Sequence, residues 1–251
     1  MLGDALAFPR QGDDWLKTVV IGGVLSLLGG FLLIPLLPAL GLLVEVLRAG
    51  VLEESEPPVF EDWGELFVNG ILLLVIQFVY VLVPFILIFV ATFVVGAGAL
   101  AGGEAGAGIG IVGALLFLVA FLLTLVAAYL IPAAAANFAY EDEFGAAFDL
   151  STVRKAAFSG DYFVAVLLAI VVGLVLGFVA ALLTVLVVGI FVAFYVQMVT
   201  YYLFGRGFGA GLGIEPTPGD EFGGDEGGDS SAGEGDEDDG DDRIPDPGPL
   251  T

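Results

Sequence analysis

The chain has 251 residues, of which 58% are hydrophobic, with a mean hydropathy of +0.99 and a formal net charge of −23. This apolar content exceeds what one soluble core of this size needs and favours an integral membrane protein. The acidic balance argues against nucleic acid and against electrostatic docking on anionic headgroups, since both need clustered Lys and Arg. The chain has no Cys and no His, which excludes thiol chemistry and the common zinc and iron ligand sets. The long apolar runs also have no Asp, Glu or Lys at mid-depth, so we expect no catalytic, cofactor-binding or metal site.

Long apolar runs predict an all-α fold, a transmembrane bundle of about six helices arranged as three hairpins. The first run, Thr18 to Leu47, is too long for one span. Pro35 and Pro38 predict a break in its middle, which would turn the run into a hairpin. Its second arm, residues 36–48, is short and predicts a half-length or tilted helix.

The second hairpin is predicted from two runs on either side of a segment rich in Gly and Ala. Its first arm covers Ile71 to Val95 and should be kinked at Pro84. The segment Gly96 to Gly108 contains one charged residue and predicts a flexible turn. Its second arm then follows over Ile109 to Ala136.

The third hairpin follows a polar link, residues 137–161, that predicts an amphipathic surface helix. Residues 162–204 carry no charge and would extend about 65 Å as one helix, which is enough for two spans. We place the turn between these spans near residues 184–189.

Charge divides the chain into three regions: a cytoplasmic N-terminal segment at 1–14, the transmembrane domain at 15–208 and a tail at 209–251. Residues 215–251 hold 14 of the 30 acidic residues, interspersed with Gly, Pro and Ser. Such a composition buries too little apolar surface to offset the entropy of ordering, so we predict a disordered acidic tail.

The basic residues predict the orientation of the bundle. With six spans, all seven Lys and Arg fall on one side of the membrane, and the opposite loops have none. The positive-inside rule makes that side cytoplasmic. We therefore expect a multi-pass protein of the plasma membrane with both termini in the cytoplasm.

Three sets of residues are candidate functional positions. Trp15, Trp63 and Phe67 lie in polar segments just before or at the start of apolar runs and are candidates for headgroup depth. Glu45 and Arg48 share a helix face and form a candidate charge pair, either an anchor at the boundary or part of an ion path.

The third set is a ridge of small residues along the fifth span, Ala165, Ala169, Gly173, Gly177 and Ala181. Small residues at every fourth position let helices approach closely in lipid. The ridge indicates either ordinary packing inside the bundle or a contact surface such as a dimer seam or sliding gate.

Several short motifs are distinctive: Asp14-Trp15-Leu16-Lys17, Ile21-Gly22-Gly23, Ile34-Pro35, Val46-Leu47-Arg48, Pro57-Pro58, Asp62 to Phe67 with Gly70, Ala139-Tyr140 with Phe144, and Tyr201 to Gly205. Together they resemble those of an uncharacterised family of archaeal, haloarchaeal-type, multi-span membrane proteins, domain of unknown function 4013. The resemblance covers roughly residues 8 to 208 and implies no catalytic residues. It implies a salt-loving host, and the ratio of two Lys to 30 acids fits a salt-rich cytoplasm.

Three functions are consistent with these patterns. We favour a non-enzymatic protein that packs or binds partners in the membrane, namely the lipid bilayer, other membrane proteins or a second copy. The alternative is a transporter or channel for a small uncharged or lipidic substrate. The least favoured is a headgroup enzyme using Asp62, Glu65 or Asp149, since these carboxylates have no assembled partner in the sequence.

Overall fold

A computed structural model describes residues 1–184, 186 and 188–216. Within these residues the chain is all-helical. The helices are α1 (Leu2–Ala7), α2 (Trp15–Gly29), α3 (Leu33–Val51), α4 (Trp63–Ala101), α5 (Gly103–Glu141), α6 (Leu150–Ala157), α7 (Gly160–Thr184) and α8 (Val188–Leu212). Short 3-10 turns cover Phe8–Arg10 and Phe144–Phe148.

The three predicted hairpins are confirmed as α2–α3, α4–α5 and α7–α8. Among the described residues, five helices, α3, α4, α5, α7 and α8, are long and apolar enough to cross a membrane. The sixth, α2, has 15 residues and extends about 22 Å, which is short of the roughly 30 Å of hydrocarbon.

The first hairpin differs from its prediction. The turn lies at residues 30–32, ahead of both prolines, and α3 is longer than α2. Pro35 sits in the first turn of α3, where its missing N–H has no intrahelical partner to lose. Pro38 lies one turn further on inside the same helix. The prolines therefore lie at the start of the second arm and do not break it.

The predicted flexible turn at 96–108 is wrong. Helix α4 runs through Pro84 to Ala101, and α5 begins at Gly103, so the connection is a tight turn at Gly102 and Gly103 with φ of +62° and +57°. The remaining glycines of this segment are helical, and some of them bring the two helices together. A Cβ added at Gly98 would lie 2.9 Å from the carbonyl oxygen of Gly106.

The α4–α5 contact is a seam of small residues spaced by seven. Beyond residue 76, the buried residues of α4 and their counterparts on α5 up to residue 127 are Pro84, Ala91, Gly98, Gly106, Gly113, Ala120 and Ala127. A seven-residue period keeps one stripe of each helix facing its neighbour, as in a coiled coil. Small side chains on that stripe allow close backbone approach in lipid.

The third hairpin turns between Thr184 and Val188, as predicted. The polar link before it contains the short helix α6, which buries Val153, Ala156 and Ala157 against the bundle. This confirms an amphipathic helix in the link.

The large buried side chains lie at one end of the bundle, which we call the packed end and define as residues 39–51, 63–76, 130–162 and 194–212, joined by the N-terminal segment. Fully buried there are Phe8, Leu42, Leu43, Leu47, Leu73, Ile76, Phe138, Tyr162, Phe194, Met198, Leu203 and Phe208. The far halves, residues 77–129 and 163–193, expose large apolar side chains along most of their length. A helix surface of this kind is suited to lipid.

Helix α3 is at the centre of the packed end. On one side, a Cβ at Gly41 or Gly70 would overlap a backbone carbonyl of the facing helix, so α3 and α4 are in direct backbone contact. On the other side, Gly50, Gly205 and Gly209 bring α3 equally close to α8. Helix α3 thus positions two hairpins relative to each other.

Of the predicted tail, residues 217–251 lie outside the described residues. Helix α8 continues past the predicted boundary at 208 to Leu212.

Candidate functional site

Arg206 joins three separate segments at the packed end. Its side chain is 14% exposed, with Nη1 2.7 Å from Asp4 Oδ2 and Nη2 2.7 Å from Glu53 Oε2. The amino group of Met1 also contacts Asp4 Oδ2, at 2.8 Å. Hydrogen bonds from the amino terminus and then from Arg206 lower the pKa of Asp4 below its usual value. This cluster ties the N-terminal segment and the end of α3 to α8.

The N-terminal segment has two further attachments to α8. Phe8 stacks on Tyr202 with ring centroids 3.9 Å apart, and the Tyr195 hydroxyl donates to the Leu6 carbonyl. Residues 1–10 are therefore part of the folded bundle.

The predicted pair Glu45 and Arg48 lies at the packed end with other polar partners. Arg48 Nε donates to the Ala139 carbonyl at 2.8 Å, and its guanidinium lies 3.6 Å from Asp142 and 3.9 Å from Glu45. Glu45 accepts from the buried Asn69 side chain at 3.0 Å. The pair thus connects α3 to both helices of the second hairpin. These partners give the charges a structural use, since a buried charge is stable only when paired or hydrogen-bonded.

Two of the three carboxylates of the enzyme hypothesis cap helices. Asp62 caps α4 by accepting from the backbone N–H of Glu65, and Glu65 is exposed. Asp149 caps α6 by accepting from the Thr152 hydroxyl and the Ser151 N–H, and these bonds lower its pKa. Capping gives Asp62 and Asp149 a structural role at the first turns of α4 and α6.

The three candidate interfacial aromatics have the following positions. Trp15 and Trp63 are the first residues of α2 and α4, and both are partly exposed. Trp63 stacks on Phe60 with centroids 5.6 Å apart, while Phe67 is half-buried one turn further along α4. Charged residues lie close to all three aromatics in the sequence, as the prediction of headgroup depth requires.

Only the first part of the predicted ridge on α7 packs against α8. Ala165 and Ala169 are buried, and the contact then continues through Val172 and Ala180. Space is open around Gly173 and Gly177, since a Cβ at either would meet nothing within 4 Å, and Ala181 is exposed. A period of four residues drifts around a helix of 3.6 residues per turn, which carries the later ridge residues away from the seam.

A polar passage between the hairpins would require Gln77 and Gln197 to face the same interior. Gln77 is half-buried on α4, whereas Gln197 is exposed on α8. The two side chains therefore do not face a shared interior.

A polar depression lies where α5 ends and α6 begins. Its walls carry Glu141, Glu143 and Asp149 together with the buried Asn137, whose Nδ2 donates to the Ala146 carbonyl at 2.7 Å. Within the described part of the chain, no three acidic side chains lie close enough together to hold a metal ion. The depression is a solvated acidic surface.

Sequence reasoning did not identify the Arg206 cluster. Its members are separated by 202 and 153 positions along the chain, so no local pattern links them. The available signal was that Arg206 ends the long uncharged run, which predicts a charge at the membrane boundary and does not predict its partners.

Comparison with known proteins gives one match. Residues 24–185, well over half of the chain, match the model of a family described as Protein of unknown function (DUF4013). No curated protein and no solved structure matches the chain.

Proposed function

We propose that this chain, which belongs to the DUF4013 family of unknown function, is a non-enzymatic integral membrane protein acting through helix packing or partner binding in the membrane. The observation that carries the proposal is the divided ridge on α7. Its first two residues pack inside the bundle, and its glycines at 173 and 177 have open space beside them. A second copy or another membrane helix is the partner that such a surface admits.

The polar groups of the packed end support the non-enzymatic part of the proposal. Arg206 and Arg48 are held by carboxylates and carbonyls of neighbouring segments. Asp62 and Asp149 cap helices. A catalytic acid or base needs freedom to reach a substrate proton, and these side chains are engaged in holding the fold.

Cysteine cross-linking tests the partner surface directly, because the chain has no cysteine of its own. Gly177→Cys places a thiol on the open part of the ridge, and Val175→Cys places one on the opposite, exposed face of α7. In native membranes, with the introduced thiol labelled by a maleimide that carries a photoreactive benzophenone, we expect irradiation to give a higher-mass adduct from Gly177→Cys and none from Val175→Cys.

The identity of the adduct separates the two kinds of partner. A product of twice the mass indicates self-association, and any other mass indicates a different membrane protein. Equal cross-linking at both positions, or none at either, would contradict the proposal.

We also propose a location for the chain, the plasma membrane of a salt-adapted archaeal cell. Both termini and the packed end would face the cytoplasmic side. Support comes from the charges, since between residues 66 and 140 only Glu104 is charged and between 162 and 205 none is. In intact cells, a membrane-impermeant maleimide should label Glu104→Cys and should not label Arg154→Cys. The reverse labelling pattern would overturn this orientation.

The alternative function, a transporter or channel for a small uncharged or lipidic substrate, has less support. Gln77 is half-buried on α4 and Gln197 is exposed on α8, so the two glutamines do not line one polar passage. Solute flux into proteoliposomes that is lost in Gln77→Leu and retained in Gln197→Leu would favour the alternative.

A further inference from the structure

An apolar groove runs between α5 and α6 where the packed end meets the far half of the second hairpin. Its volume is about 530 Å³, within the roughly 300–1,000 Å³ typical of small-molecule sites. Val126 and Tyr129 line it from α5, and Leu150, Arg154 and Phe158 line it from α6. The groove therefore has apolar walls with one cation at its edge.

The groove exists because α6 is attached along only one of its faces. The Tyr129 hydroxyl donates to the Ala157 carbonyl at 2.6 Å, and Val153 is buried against the bundle. Leu150 and Phe158, which line the groove, are not packed into the bundle, and 64% and 79% of their surface is exposed. A short helix that exposes large apolar side chains beside basic ones is suited to the membrane interface.

Arg154 and Lys155 differ from the two arginines that hold the bundle together. Both are exposed, and among the described residues neither has a carboxylate within 4.0 Å, whereas Arg48 and Arg206 are each held by acids. Two adjacent cations without an acidic partner are notable in a chain of net charge −23. They form a local site for an anion on a protein that repels anions overall.

We propose that this groove binds one anionic phospholipid of the surrounding bilayer, with a hydrocarbon chain between α5 and α6 and the phosphate at Arg154, beside which Lys155 is the next cation along the chain. The apolar walls match the hydrocarbon chain, and Arg154 at the edge, with the adjacent Lys155, matches the anionic headgroup. A single lipid held in a groove differs from docking on a charged surface, which the net charge opposes. The site is independent of the α7 ridge and of the proposed function.

The test uses the full chain in detergent micelles, with bound lipid counted by native mass spectrometry. Phosphatidylglycerol should bind at least several-fold more tightly than phosphatidylcholine with the same acyl chains. Arg154→Gln combined with Lys155→Gln should weaken phosphatidylglycerol about thirtyfold, at about 1 kcal/mol for each basic residue near an anionic surface. Binding of phosphatidylcholine, whose choline cation offsets the charge of its phosphate, should weaken much less.

Two further variants separate a groove from a general charge effect. Lys17→Gln also removes an exposed cation but lies on α2, and it should bind as the unmodified chain does. Val126→Phe fills the groove from an exposed position and should weaken both lipids while leaving the bundle folded. Equal binding of the two lipids by the unmodified chain, or unchanged selectivity in the double variant, would overturn the proposal.

Discussion

The packed end and the far half of the second hairpin are stabilised in different ways although they share the same two helices. At the packed end, α4 and α5 bury Leu73, Ile76 and Phe138, and polar contacts tie them to α3, from Glu45 to α4 and from Arg48 to α5. Farther along, the residues buried between them are proline, alanines and glycines. The packed end thus combines large side chains, ion pairs and glycine contacts, whereas the far half depends on close backbone approach alone.

The largest effect should follow from disturbing the contact between α3 and α4. In Gly70→Ala, the new methyl group would overlap the Leu37 carbonyl, and backbone can relieve the clash only by moving a helix. We expect a loss near the upper end of the about 1–3 kcal/mol typical of overpacking, measured by unfolding in mixed micelles. Gly108→Ala has open space and should be neutral or stabilising. Equal losses in both variants would contradict the special role of α3.

The next largest effect should come from Arg206→Met, which leaves Asp4 and Glu53 without their cation. Breaking a buried pair costs about 3–5 kcal/mol, and partial exposure of both acids should reduce the loss to about 2 kcal/mol. Protease digestion should then remove the N-terminal segment first. Lys17→Met removes an exposed cation 4.0 Å from Asp14 and should change stability by less than about 0.5 kcal/mol. Equal effects of the two variants would refute the cluster's importance.

A smaller effect is expected in the far half of the second hairpin. Gly106→Ala would place a methyl group against the Gly98 carbonyl, but two helices surrounded by lipid can move apart to relieve the clash. We expect a loss of about 1 kcal/mol and a larger distance between spin labels at Phe93 and Leu115, which are both exposed. A distance unchanged from the unmodified hairpin would show that the seam is not closely packed.

The smallest effect concerns pH. The pKa of Asp4 is lowered in the folded chain, so its contribution is present above the ordinary value of 3.8 and is lost as pH falls through the folded pKa. Acidification below about pH 3.8 should therefore loosen the N-terminal segment, and added salt should lessen the difference. Limited proteolysis against pH measures this directly. The Arg206→Met variant should show a weaker pH dependence, and an identical profile would count against the pairing.

The architecture was predictable because it depends on strong local signals. Long uncharged runs defined the second and third hairpins, and the turn after Thr184 lies where the length of the run required it. The prolines were harder to interpret, since Pro35 can end a helix or begin one. The glycines at 96–108 were misinterpreted for a related reason, because composition alone does not distinguish a flexible turn from a close helix contact.

One signal in the sequence could have corrected that interpretation. Ala91 and Gly98 on α4, and Gly106, Gly113 and Ala120 on α5, recur every seven residues, which is a helical period and not a property of loops. The contacts of Arg48 and Arg206 could not have been found this way. They depend on where distant segments meet, which is a property of the tertiary fold.

The distance along the chain between Asp4 and Arg206 has a consequence for biogenesis. During translation, Asp4 leaves the ribosome 202 residues before the arginine that holds it. Glu53 precedes the same arginine by 153 residues. Residues 1–10 therefore lack these contacts until α8 is made, so a chain interrupted before α8 keeps this segment open to a protease.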